Sequence, residues 1–120
     1  MWFRLIVIGL ASATVTNALA TPIGLWARGD GNARVRIEPC GSALCAINTW
    51  IKDTSQGENV GDKLVMTVAP AEGGRLDGTA FDPKRDRSYG ISIRFSKDRM
   101  STRGCILGVL CKTVNWTRIQ

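Results

Sequence analysis

The sequence predicts an all-β domain: a small eight-stranded up-and-down antiparallel barrel, stapled by disulfides. Three observations lead there. The dominant hydrophobic period is two: Arg34-Val-Arg-Ile-Glu38 alternates charged with apolar side chains, and Tyr89-Gly-Ile-Ser-Ile-Arg-Phe95 alternates large apolar with small or polar ones. Turn chemistry recurs at short intervals, in Arg28-Gly-Asp-Gly-Asn32, Glu72-Gly-Gly74, Asp82-Pro83 and Ser96-Lys-Asp98. No window of about ten residues carries a helical stripe.

The chain opens on an address. Met1-Trp-Phe-Arg4 is a short basic start, Leu5–Ala11 an apolar core, and Ala18-Leu19-Ala20 has small residues where a signal peptidase reads. This three-part pattern is secretory. Its apolar core is shorter than the about 20 residues that span a bilayer. Residues 1–20 are therefore expected to be a cleaved signal peptide, and 21–120 a single periplasmic domain with no transmembrane span. Cys40 lies too far from the cleavage site for a lipid anchor.

The strand candidates follow in order: Gly24–Arg28, Arg34–Glu38, Ala46–Lys52, Lys63–Val68, Gly78–Phe81, Tyr89–Phe95, Met100–Gly104 and Lys112–Ile119. Closing them into a barrel removes the two unpaired edges of an open sheet. Parity turns Val35, Ile37, Tyr89, Ile91, Ile93 and Phe95 inward, and Arg34, Arg36, Glu38, Ser92 and Arg94 outward. The longest gap, Asp53–Asp62, is polar and reads as a mobile loop. A faint internal echo pairs Cys45 and Trp50 with Cys111 and Trp116, four residues lying between each cysteine and its tryptophan, as in two hairpins built alike.

Four cysteines allow three connectivities. Export places them in an oxidising space. Crossed pairing would close the longer loops and contribute roughly 4 kcal/mol each, against roughly 2 kcal/mol for local pairs. Local pairing, Cys40 with Cys45 and Cys105 with Cys111, is nevertheless expected, because each pair brackets a short glycine-containing turn.

Two resemblances add to this reading. Gly24-Leu-Trp26 near the start and Arg118 near the end resemble the lipocalin and wider calycin pattern. That resemblance implies structural closure: Trp26 plugs one end of a lipocalin-like barrel, Arg118 lies across its ring, and Gly24 precedes them. A guanidinium over an indole gains cation–π attraction. The whole span from about Thr21 to Gln120 also resembles a bacterial exported family, domain of unknown function 2147. The carrying segments are Gly24-Leu-Trp26, Ala33-Arg-Val-Arg-Ile-Glu-Pro-Cys-Gly41, Trp50-Ile-Lys-Asp53, Gly78-Thr-Ala-Phe-Asp-Pro83, Arg103-Gly-Cys105 and Trp116-Thr-Arg118. The family implies secretion, two cysteine pairs and a lipocalin-like β fold, and no established activity.

Composition narrows the chemistry. The 120 residues carry a formal charge of +6 and no histidine. That absence removes histidine acid–base catalysis, Ser–His and Cys–His pairs and most zinc sites. Paired, exported cysteines argue against a reactive thiol and against a metal centre. The cluster Asp82-Pro-Lys-Arg-Asp-Arg87 reads as a solvated turn rather than a carboxylate dyad. No basic run or spare aromatic set suggests nucleic acid. No catalytic residue, metal or cofactor is expected. The reading is a binding protein that holds a small apolar or amphipathic ligand in a shallow pocket of at most about 300 Å³, with Trp50, Phe81 and Tyr89 at its mouth. The second reading is an envelope interaction module. Its basic outer face of Arg34, Arg36, Arg94 and Arg103 would meet anionic lipid, lipopolysaccharide or a periplasmic protein.

Overall fold

The computed structural model describes residues 21–120, so the expected signal peptide lies outside the described residues. Eight strands form: β1 Gly24–Arg28, β2 Ala33–Cys40, β3 Ala43–Ile51, β4 Lys63–Pro70, β5 Leu76–Asp82, β6 Arg87–Phe95, β7 Arg99–Ile106 and β8 Leu110–Arg118. They close into a barrel in sequence order, every neighbour antiparallel. Only one 3-10 turn, Glu72–Gly74, interrupts the strands among the described residues. All eight predicted strands are present; β3 starts three residues before its predicted start at Ala46, because the Cys40–Cys45 hairpin extends the ladder.

Closure depends on β1 meeting β8, with Trp26 opposite Arg118 and Arg28 opposite Trp116. The up-and-down path puts the turns at residues 41–42, 71–75 and 96–98 at one end, together with both ends of the described chain. The turns at 29–32, 52–62, 83–86 and 107–109 gather at the other.

The alternation follows the sequence. Val35 and Ile37 on β2 and Ile91 and Ile93 on β6 are buried, with Tyr89 and Phe95 partly buried beside them. Trp26 and Met100 join Ile93 low in the barrel, and Met66 and Ala80 complete the central layer. Among the described residues no polar or charged residue is fully buried. Charges sit instead on the outer wall and at the ends, where water or a partner solvates them.

Both disulfides are local, Cys40–Cys45 in the β2–β3 hairpin and Cys105–Cys111 in the β7–β8 hairpin. No cysteine is free. The two staples fasten opposite ends of the barrel, on hairpins that point in opposite directions.

Candidate functional site: a cup with a closed floor and a charged rim

The floor is built by the first and last strands. Trp26 is wholly buried, and its indole Nε1–H donates to the Pro22 carbonyl at 2.9 Å. The Arg118 guanidinium lies 4.3 Å from the ring centroid. It donates to three carbonyls, of Lys97, of Ile23 at 2.8 Å and of Thr21 at 2.6 Å. A planar fork reaches the three from three separate nitrogens, whereas an ammonium group would have to reach them all from one. Gly24 makes room: at φ +146° a side chain there is strained, and its Cβ would stand 2.5 Å from Arg118 Nη1. The Gly-x-Trp motif is thus a packing rule for the last strand.

Above this floor the interior opens into a cavity of about 510 Å³. It is larger than the sequence suggested. The reason is side-chain size: Ala46, Thr102 and Gly104 occupy inward positions of the upper wall, where larger groups would fill the space. The wall also carries Ile37, Met66 and Ile91. Trp116 lines it too, oriented by a 3.0 Å bond from its Nε1–H to the Thr102 hydroxyl. The Tyr89 ring leans across β7, so close that a Cβ on Gly104 would meet it at 3.1 Å. Burial, reinforced by the nearby Asp82 charge, pushes the Tyr89 phenol above its ordinary range, so it remains a neutral donor.

The rim is charged. Arg28, at the top of β1, forks onto Glu58 with bonds of 2.6 and 2.7 Å and also holds Asp30. The Arg28 hydrogen bond keeps the Glu58 carboxyl below its usual range and outweighs the cost of burial. Lys84 bonds Asp62 at 3.1 Å. Arg85 bonds Asp82 at 2.8 Å and donates to the Gly57 carbonyl. Burial raises Asp62 and Asp82, but these partners outweigh it and both stay ionised. The 52–62 segment and the 83–86 turn, expected as a mobile loop and a solvated turn, are tied to each other and to β1. Asn32 adds bonds in both directions with Asp53. Lys63, Arg87 and Lys112 also line the mouth and form no ion pair among the described residues.

Of the three aromatics predicted at the mouth, only Tyr89 lines the cavity. Trp50 faces outward, 38% exposed, under the Arg34 guanidinium at 4.7 Å. The cause is a bulge: Arg34 pairs with Trp50 while Val35 pairs with Asn48, so Thr49 is an extra residue and the parity of β3 reverses after it. Phe81, also 38% exposed, shares the outward register of Val65 and Ser88, while its neighbour Ala80 faces in. The missed member is Trp116, whose signal in the sequence was alternation along β8, where Lys112, Val114 and Trp116 share the inward face. The four arginines of the predicted basic face divide. Arg34 and Arg36 stand on β2, Arg94 and Arg103 on β6 and β7, and the sheet order puts three strands or more between β2 and that pair on either route but one, where β1 and β8 intervene. Barrel curvature turns the two pairs onto different walls.

The arrangement supplies an apolar enclosure, a neutral phenol and fixed ionised groups at the entrance. Among the described residues no group of three or more potential metal-ligating side chains comes together, and no helix is long and apolar enough to cross a membrane. Neither the curated proteins nor the solved structures contain a match to the chain. A family model described as an uncharacterized protein conserved in bacteria, DUF2147, matches residues 24–118, from the glycine that opens β1 to the arginine that closes β8. By that match across the entire barrel, the chain belongs to the bacterial DUF2147 family.

Proposed function

We propose that this protein is a non-catalytic periplasmic carrier of a small amphipathic molecule, with the tail in the cup and an anionic head at Arg87 and Lys112. Two disulfides in a member of a bacterial family fit an extracellular or periplasmic protein. The secretory pattern of residues 1–20 supports the periplasm.

One observation carries the reading. The cup has apolar walls, the three carboxylates that line it are each engaged by a cation, and three further lining cations, Lys63, Arg87 and Lys112, form no ion pair among the described residues; strand parity turns Arg87 and Lys112 inward. A volume of about 510 Å³ sits within the range of small-molecule pockets. From Ile91 up to Arg87 the wall is about 13 Å at the rise of a strand, a depth that suits a medium-length alkyl chain. Burying such a chain drives binding, and a charge-assisted hydrogen bond at the head selects its sign. The alternative of a basic outer face is disfavoured by the division of its four arginines over two walls.

The test is a calorimetric titration at low salt with decanoate, decanol and decyltrimethylammonium. Decanoate is expected to bind about tenfold more tightly than decanol, and the cation weakest. Arg87→Gln with Lys112→Gln should bring the carboxylate-to-alcohol ratio near one. Arg94→Gln with Arg103→Gln, which removes the same charge from the outer wall, should leave the ratio intact. Equal affinity for all three probes overturns the head-group assignment; absence of binding by any of them overturns the carrier.

A further inference from the structure

The β7–β8 hairpin ends in an apolar tip that the barrel does not cover. Ile106, Leu107, Val109 and Leu110 are 43%, 91%, 78% and 71% exposed. Four large apolar side chains in one five-residue turn are not the scattered exposure of an ordinary surface. The backbone holds them out. Leu107 takes φ +55°, a left-handed position where asparagine or glycine is the usual occupant, and Gly108 follows at φ +70°. Cys105–Cys111 staples the base of the turn, so the tip is presented rigidly.

We propose that this tip docks the open end of the barrel onto an anionic lipid surface, inserting its apolar side chains among the head groups. Charge complementarity selects that occupant. From Arg103 to Lys112 the hairpin carries two cations, Arg103 and Lys112, and no acidic side chain. Arg103 and Lys112 lie nearest the tip, level with each other across the ladder at Arg103–Thr113 and Gly104–Lys112. An apolar wedge flanked by cations is the composition of an interfacial anchor. The shape agrees: a narrow convex turn enters a fluid surface without needing a complementary groove. The tip is also continuous with the cavity, because Ile106 and Leu110 line the mouth. Docking there leaves an apolar path between the bilayer and the cup.

The experiment is sedimentation with vesicles of phosphatidylglycerol, compared with phosphatidylcholine, at low and at 0.5 M salt. The oxidised protein is expected to bind phosphatidylglycerol, to bind phosphatidylcholine more weakly, and to lose part of its affinity in salt. Leu107→Asn with Val109→Ser should weaken binding by more than about tenfold. Both side chains are solvent-exposed and Asn suits the left-handed backbone, so the fold is retained, and an unchanged melting temperature checks it. No sedimentation of the wild type at low salt overturns the proposal. Equal sedimentation of the tip variant overturns it in favour of binding by charge alone. A wild-type dimer that the tip variant converts to monomer, without vesicle binding, reassigns the tip to contact between two copies of this chain.

Discussion

The two ends of the barrel are made from the same eight strands and behave as opposites. At the closed end a single aromatic ring fills the bore, and one guanidinium satisfies the carbonyls around it. The indole N–H and the guanidinium there are turned to backbone carbonyls. At the open end inward positions hold alanine, threonine and glycine, so the bore stays empty, and the surrounding charges are unequal in sign. The difference shows how a β-barrel separates tasks along its axis. Backbone pairing is alike throughout, so the size and charge of inward side chains decide which end is a plug and which is a cup. Substitutions at the closed end should therefore act on stability, and those at the open end on binding.

The largest expected effect is at the plug. Trp26→Ala removes the biggest fully buried side chain. It should lower stability by about 3–5 kcal/mol in urea unfolding, the scale for truncating a buried aromatic. A loss under about 1 kcal/mol would show that the strand ladder alone holds the barrel shut. Next is Arg118→Lys. The charge remains, but one nitrogen replaces three spread over a plane, and the stacking surface on the indole is lost. A loss of about 2 kcal/mol is expected, and a ligand titration of the folded fraction should be unchanged.

The closed end was legible in the sequence because its signals are positional. A Gly-x-Trp at the first strand and an arginine at the last have one way to meet in a barrel that winds up and down. The strands were legible because alternation survives any detail of packing. The cup was not. Sequence reading looks for large aromatics at a mouth, whereas this cavity exists because Ala46, Thr102 and Gly104 are small. The two tryptophans that follow a cysteine at equal spacing make the point. In β8, Trp116 keeps the parity that its distance from Cys111 dictates and lines the cup. In β3 the extra residue Thr49 reverses the parity, and Trp50 goes outside. A bulge depends on pairing across strands, which spacing along one strand does not reveal. The rim was hidden for a similar reason: Arg28 and Glu58 are thirty residues apart in sequence and meet only when 52–62 folds over β1.

A substitution that fills the cup sharpens the contrast between the ends. Ala46→Leu places a larger apolar group into the cavity beside Leu64, its partner across the ladder. Decanoate affinity should fall about tenfold, which corresponds to about 1.4 kcal/mol, while the urea midpoint should hold or rise as empty space is filled. A fall in both together would show that the cup, like the plug, is already packed to capacity.

The smallest effect, and the cleanest separation of the two ends, is expected from pH. Glu58 is held below its ordinary value near 4.5, chiefly by its hydrogen bond from Arg28 and against the opposing effect of burial. A carboxyl depressed on folding adds stability that is present above its unfolded value and is lost as pH falls through the folded one. Between pH 7 and 5 the rim should therefore not change. Once pH falls below the ordinary glutamate range and through the lowered folded value, protonation should release the Arg28–Glu58 fork, and the amides of residues 53–62 should exchange faster after correction for intrinsic rates. The pair is partly exposed, so its contribution is under about 1 kcal/mol. At the closed end the contacts of Arg118 are with carbonyls, which do not titrate. The Trp26 indole N–H resonance should stay fixed over the same range. If it moves with the Glu58 midpoint, the plug and the rim are coupled through the wall, and the division of tasks along the barrel axis fails.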